Sequence, residues 1–410
     1  MDSRHPPTTS RGPTTLLGTT LLVTALLTAC GTDANSTDGT ILRDSAGVAI
    51  AESTHTRPAW GDDGWTLSAE PELRIGSPDA SGPYQLHGVW HSAFLPGDRV
   101  GVVDGQTDEL RIFDLEGTHL QTLGRSGEGP GEFTQLWRVY LGPADSIMAV
   151  DLYRAVSVFD PEGAYVRRFV PTGESGERQG THRGQFEDGS LLLAQYQPLD
   201  PEALGVLRTQ MELLRVDLEG EVVRSFGLFD HQTVRRETER SQYIFGAAGV
   251  FTAHGRTLVY GPGDRFEVRM YGLDGTLERL VRLDAQPDPV VQADRDAWIQ
   301  AMVESNPNTP EEVLRDLIGE IDSPPHFPHH GPLLVDDSDH LWVRDYPRGT
   351  PIEAGILYVF DPAGAYLGSV PVPAGLVVHE IRGDRLLGRW MDEFEVQHVV
   401  VYRIEGREPG

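Results

Sequence analysis

The sequence predicts an all-β fold: a six-bladed β-propeller of four-stranded antiparallel blades, closed by an N-terminal strand, with a small helical insertion between blades four and five. Three observations carry this expectation. A short phrase, a β-rich run followed by hydrophobic–Asp–x–x–Gly and a second β-rich run, occurs six times. A tight polar turn precedes each occurrence. Finally, the last occurrence lies too close to the end of the 410-residue chain to be followed by an outer strand.

The six occurrences are RIFDLEGTHL from Arg111, SVFDPEGAYV from Ser157, LRVDLEGEVV from Leu214, RMYGLDGTLE from Arg269, YVFDPAGAYL from Tyr358 and VVYRIEGREP from Val400. Alternating apolar residues mark the flanking runs as strands, and the glycine supplies a turn residue able to take positive φ. One hairpin cannot bury its own apolar face, so repeated hairpins imply stacked units. The residues before the Asp position (Phe113, Phe159, Val216, Tyr271, Phe360 and Tyr402) are spaced 46, 57, 55, 89 and 42 apart. Those steps suit one blade each, with insertions. Two copies depart from the pattern, with Gly272 and Arg403 where the others have Asp.

The largest insertion, about 289–322, reads as two helices. The first begins near Asp294, and the second follows the cap and early acids of Thr309-Pro310-Glu311-Glu312. It fits either a lid packed on the ring or a gate over a ligand. Closure needs a strand for blade six, because an unclosed ring exposes an edge. Leu73-Arg74-Ile75-Gly76 mirrors Gln121-Thr122-Leu123-Gly124, so the segment 65–75 is expected to complete the last blade.

The N-terminus points to export. Arg4 and Arg11 precede the apolar run 16–29, which is too short and too rich in Thr for a comfortable membrane span. It ends Leu27-Thr28-Ala29-Cys30, which resembles a bacterial lipobox and implies cleavage before a lipidated Cys30. The expected organisation is a signal peptide at 1–29, a lipidated N-terminus and tether at 30–64, the propeller at 65–406 and a tail at 407–410. Cys30 is the single cysteine, so no disulfide supports the fold.

In blade two, Gly124-Arg125-Ser126-Gly127-Glu128-Gly129-Pro130-Gly131-Glu132-Phe133, a strand, then Asp151 and Phe159-Asp160 resemble an NHL repeat. The whole region 65–406 is similar to bacterial six-bladed β-propeller lipoproteins. That resemblance implies fold more than activity, since such rings host binders and enzymes alike.

Composition narrows the function. The formal charge is −28, and no lysine occurs. Binding to nucleic acid or to an anionic membrane by charge is therefore disfavoured, and lysine Schiff-base chemistry and a Walker-type phosphate loop are excluded. Every long insertion (173–181, 197–211, 229–242, 285–328 and 346–355) falls on the rim opposite the tight turns, where function is expected. Polar residues at the starts of inner strands lie at the mouth of the channel on that rim. Candidate ligand contacts are His87, His91, Arg138, His182, Arg183 and His379; candidate metal ligands are His182, His329 and His330.

Two readings follow, with no catalytic residue assigned. In the primary one the chain is a lipid-anchored module, attached to the cell-envelope membrane only through its anchor, with a peptide, glycan or protein ligand on the looped face. In the alternative it is a lyase or lactone hydrolase with zinc or calcium in the channel. Amidating lyases for peptidyl-hydroxyglycine are a precedent for zinc in such a channel.

Overall fold

The computed structural model describes residues 35–37, 39–61, 63–77, 79–152, 155–171, 180–237, 241–349 and 352–407. The expected signal peptide, Cys30 and most of the insertion 173–181 lie outside them. Six antiparallel sheets of four strands stand around a central channel, as the repeats predict. The innermost strands are Val89–Leu95, Leu136–Leu141, Thr181–Gln185, Val250–His254, Leu333–Val335 and Leu376–Arg382. Facing sheets bury the core; between blades one and two it is built from Leu110, Ile112, Leu136, Val139, Ile147 and their neighbours.

The repeated phrase makes the turn from the third to the outer strand, and its Asp side chain closes that turn. Asp114 Oδ1 accepts from Thr118 N at 2.6 Å, Asp160 Oδ1 from Ala164 N at 2.7 Å, Asp217 Oδ1 from Glu221 N at 2.9 Å and Asp361 Oδ1 from Ala365 N at 2.8 Å. The glycine of each of these four turns has φ between 85° (Gly117) and 94° (Gly220), a region side chains disfavour. In blade four Gly272 cannot cap, and Asp274 takes over by accepting from Thr276 N at 2.9 Å and from its hydroxyl at 2.5 Å. In blade six no hairpin follows. Leu73–Ile75 and Thr66–Leu67 pair antiparallel with Gln397–Glu405 instead, which is the closure the sequence predicts. Arg403 serves that joint, donating to Glu72 at 2.6 Å and to Asp384 at 2.7 Å.

The N-terminal segment does more than the sequence suggests. Part of the stretch expected as tether, Thr40–Ser45 and Val48–Thr54, is a hairpin whose second strand pairs in parallel with Leu277–Asp284, the outer strand of blade four. Ile50 and Ala51 are buried in this joint. Glu52 is held ionised below the usual carboxylate range by Arg282 and Arg43. Arg282 also bonds the buried Glu267 at 2.8 Å. Arg282 lies 230 residues from Glu52, so nothing local in the sequence announces their pairing.

The chain then crosses blade five, where Ala59 N and Trp60 N donate to Tyr366 O at 3.2 Å and Leu367 O at 2.9 Å. The Trp60 ring covers Gly368, where any side chain would collide with it. Trp60 and Trp65 lie 4.6 Å apart, and Trp65 stacks on the fully buried Trp342 at 5.7 Å. Arg407 finishes the seam 5.0 Å over Trp65 and 2.9 Å from the buried Asp336. Burial opposes the charge on Asp336, yet hydrogen bonds from His340 and Trp342 and the charge of Arg407 hold its pKa at about 2.

The connections on one rim are tight turns, and the long ones crowd the other. The crossing from blade four to five carries α1 (Gln292–Glu304) and α2 (Glu311–Ile318), as expected. Leu314 and Ile318 of α2 are buried, whereas no side chain of α1 is fully buried. Among the described residues no helix is long and apolar enough to cross a membrane.

Candidate functional site

Four inner strands share an irregularity near the looped rim. The pairing of first and second strands skips Trp90 in blade one, Trp137 in blade two, Arg183 in blade three and His379 in blade six. An extra residue of this kind bends a strand and re-aims the side chains beside it. His91, Arg138, Arg183 and His379 all line the channel, in a cavity of about 310 Å³ walled by inner strands of all six blades. The structure thus gathers four of the six candidate contacts at one place.

The imidazoles there are neutral. Burial, then the positive charge of Arg138 and the neighbouring His379, push His91 well below its ordinary pKa. His379 is driven down to about 3 by burial and by Arg389 and Arg138, and His182 to about 3 by burial and Arg138. His91 and His379 stack at 5.3 Å, and His379 Nδ1 shares a 2.8 Å hydrogen bond with Ser92 Oγ. Nδ1 of His91 and Nδ1 of His182 have no partner among the described residues. Burial raises the Tyr140 hydroxyl pKa against the pull of Arg138 and Arg183, so it stays a protonated donor. Positive charge at this end therefore comes from arginine alone.

The other end of the channel is acidic. Burial raises the pKa of Glu380. Its carboxylate takes 2.6 Å and 2.8 Å hydrogen bonds from Arg382 and Phe94 N. Asp337 lines the same end, and His254 faces Asp339 at 3.3 Å. An anion entering from the looped rim meets guanidinium and neutral N–H donors first, and carboxylates only beyond them.

The remaining candidates lie elsewhere. His87 is exposed, and its backbone N–H donates to Asp104 Oδ2 at 3.1 Å. His182 is buried in the wall beside Arg138. His329 donates to Ala285 O at 3.2 Å on the rim of a separate cavity. His330 is buried against Phe266, and burial brings its pKa to about 4. Among the described residues no three His, Cys, Asp or Glu side chains meet as a metal site would require, so His182, His329 and His330 do not form one. The long crossing into blade five is what carries His329 and His330 away from the channel.

Sequence reasoning passed over Tyr140, Arg389 and Glu380. Tyr140 was legible as the residue two after Arg138, which a strand turns to the same side. Arg389 belongs to a second strand and had no such signal. Trp90 and Trp137 meet edge to face at 5.2 Å beside the bulges.

No protein-family model matches the chain, and no curated protein matches its sequence. Solved structures do resemble it. A member of the DUF4221 family from Bacteroides vulgatus has 12% identity and a TM-score of 0.50, covering 84% of this chain and 99% of that one. A Bacteroides fragilis protein taken to be exported has 12% identity and a TM-score of 0.48, covering 87% and 99%. A gluconolactonase from Xanthomonas campestris has 14% identity and a TM-score of 0.40, covering 78% and 87%. At such identities the likeness speaks for the fold only.

Proposed function

We propose that the chain is an exported, lipid-tethered binding module whose channel mouth, on the looped rim, holds an acidic group of a peptide or glycan ligand. Arg138 carries this reading. It lines the channel of a chain with formal charge −28, yet among the described residues it makes no ion pair, and its Nε has no hydrogen-bond partner. A half-buried cation without a counter-charge is costly, and an anionic ligand would supply the missing charge. Neutral His91 and the Tyr140 hydroxyl offer hydrogen bonds beside it. The tether rests on Leu27-Thr28-Ala29-Cys30 and the basic, apolar segment before it.

Calorimetry with glucuronate, glutamate and glycerol phosphate tests the channel, compared between the parent and Arg138→Gln. Binding that weakens with salt and is lost in the variant supports the reading. Failure of all three to bind, or binding indifferent to Arg138, refutes it. For the tether, Cys30→Ser should move the protein from the membrane to the soluble envelope fraction or leave it unprocessed. Unchanged partitioning would refute lipidation.

A further inference from the structure

A larger cavity, about 770 Å³, lies away from the channel, beneath α1 on the looped rim. Its floor is a row of rings: Phe245 and Phe327 have centroids 4.9 Å apart, and Phe327 and Tyr346 5.8 Å. Trp298 faces the cavity from the helix. A surface helix ordinarily presses an apolar stripe onto the core. Here Ala297 and Ala301 line an open space, and no side chain of the helix is fully buried. Phe245 sits at φ 57°, a left-handed conformation unfavourable for a bulky residue. Strain of that kind gathers at ligand sites when the surrounding structure enforces it.

Charge selects the class of ligand. Three carboxylate residues, Asp294, Glu304 and Glu353, line the cavity against one cation, Arg348. That cation is already engaged: it bonds Asp288 at 2.7 Å and lies 4.7 Å over the Phe327 ring. The floor therefore already carries one guanidinium on a ring face, the geometry in which an aromatic quadrupole attracts positive charge. We propose that this cavity binds an organic cation: an ammonium group on an apolar body, with the ammonium over the aromatic floor and the carboxylates around it. The volume exceeds what an ammonium alone would fill, which is why an apolar body is required. The site shares no lining residue with the channel and stands whether or not the channel binds an anion.

The test titrates the purified protein with benzyltrimethylammonium, benzyl alcohol and benzenesulfonate, which carry one ring with positive, zero and negative charge. Calorimetry reads affinity, and tryptophan emission is followed in parallel. The cation should bind at one site about tenfold or more tightly than the alcohol. The double variant Glu304→Gln/Glu353→Gln should weaken the cation about tenfold and leave the alcohol unchanged. Trp298→Ala should abolish the emission change and lower the melting temperature only slightly, since Trp298 is half-buried and no side chain of α1 is fully buried. Should that variant unfold, the double variant decides by itself. Sulfonate uptake that vanishes in Arg138→Gln belongs to the channel. Equal affinity for cation and alcohol, sulfonate uptake that survives Arg138→Gln, or no saturable binding of the cation would overturn the proposal.

Discussion

The two rims of the ring spend their polar groups in opposite ways. On the turn rim the Asp of the repeated phrase, in the four blades that carry it, is consumed by its own hairpin, as with Asp217 and the amide of Glu221 at 2.9 Å. Asp336 is tied up likewise by Trp342 and Arg407. On the looped rim, buried polar atoms of His91, Arg138 and His182 are left without hydrogen-bond partners. Satisfied groups hold a fold together, whereas unsatisfied ones cost stability unless a ligand completes them. Substitutions on the two rims should therefore differ in kind.

The largest effect belongs to Asp336→Asn, which strands the Arg407 guanidinium against two indoles. It should lower unfolding free energy by about 3 kcal/mol in denaturant titrations and leave ligand affinity alone. Arg138→Gln should do the reverse, weakening an acidic ligand by about thirtyfold in calorimetry while stability is kept or raised by up to about 1 kcal/mol, because an uncompensated charge is removed. A single turn carboxylate, tested by Asp217→Ala, should cost about 1 kcal/mol with no change in binding.

Acid separates the rims more finely. His182 has a folded pKa of about 3, below its ordinary 6.5, so the unfolded chain takes up its proton first. Its contribution is complete above pH 6.5 and is lost as pH falls toward 3. Asp336, lowered from 3.8 to about 2, loses its contribution only as pH falls through that lower window. Melting temperature against pH should show both limbs, with His182→Gln removing its share of the upper, which His91, His330 and His379 also carry, and Asp336→Asn flattening the lower. An upper limb unchanged in His182→Gln would mean that the imidazole is not buried neutral.

The fold was legible because its defining turn is local: Asp and Gly three residues apart, with the hydrogen bond inside the same hairpin. Even the two departures were visible as departures, although their reasons, Asp274 stepping in and Arg403 binding Glu72, needed coordinates. The hairpin Thr40–Ser45 and Val48–Thr54 was not legible as part of the ring, because its partner strand is far along the chain and parallel to it. The channel was half legible. Polar residues at strand starts pointed to His91, Arg138, Arg183 and His379, but the bulges that aim them leave no mark in residue type. The aromatic cavity escaped notice altogether, since its walls come from segments between Gln232 and Glu353 that share no pattern.

The strap from Thr40 to Ile75 also sets an order of assembly. Its residues are among the first described ones to be synthesised, yet the partner strand of Thr66–Leu67 and Leu73–Ile75, Gln397–Glu405, is among the last. Until those arrive, Leu73–Ile75 has no strand to join, and the sixth sheet offers an open edge to any passing chain. Ring completion is therefore a late, long-range event. A protein stalled before residue 397 would hold five sheets and an unclaimed strand, the kind of intermediate that aggregates.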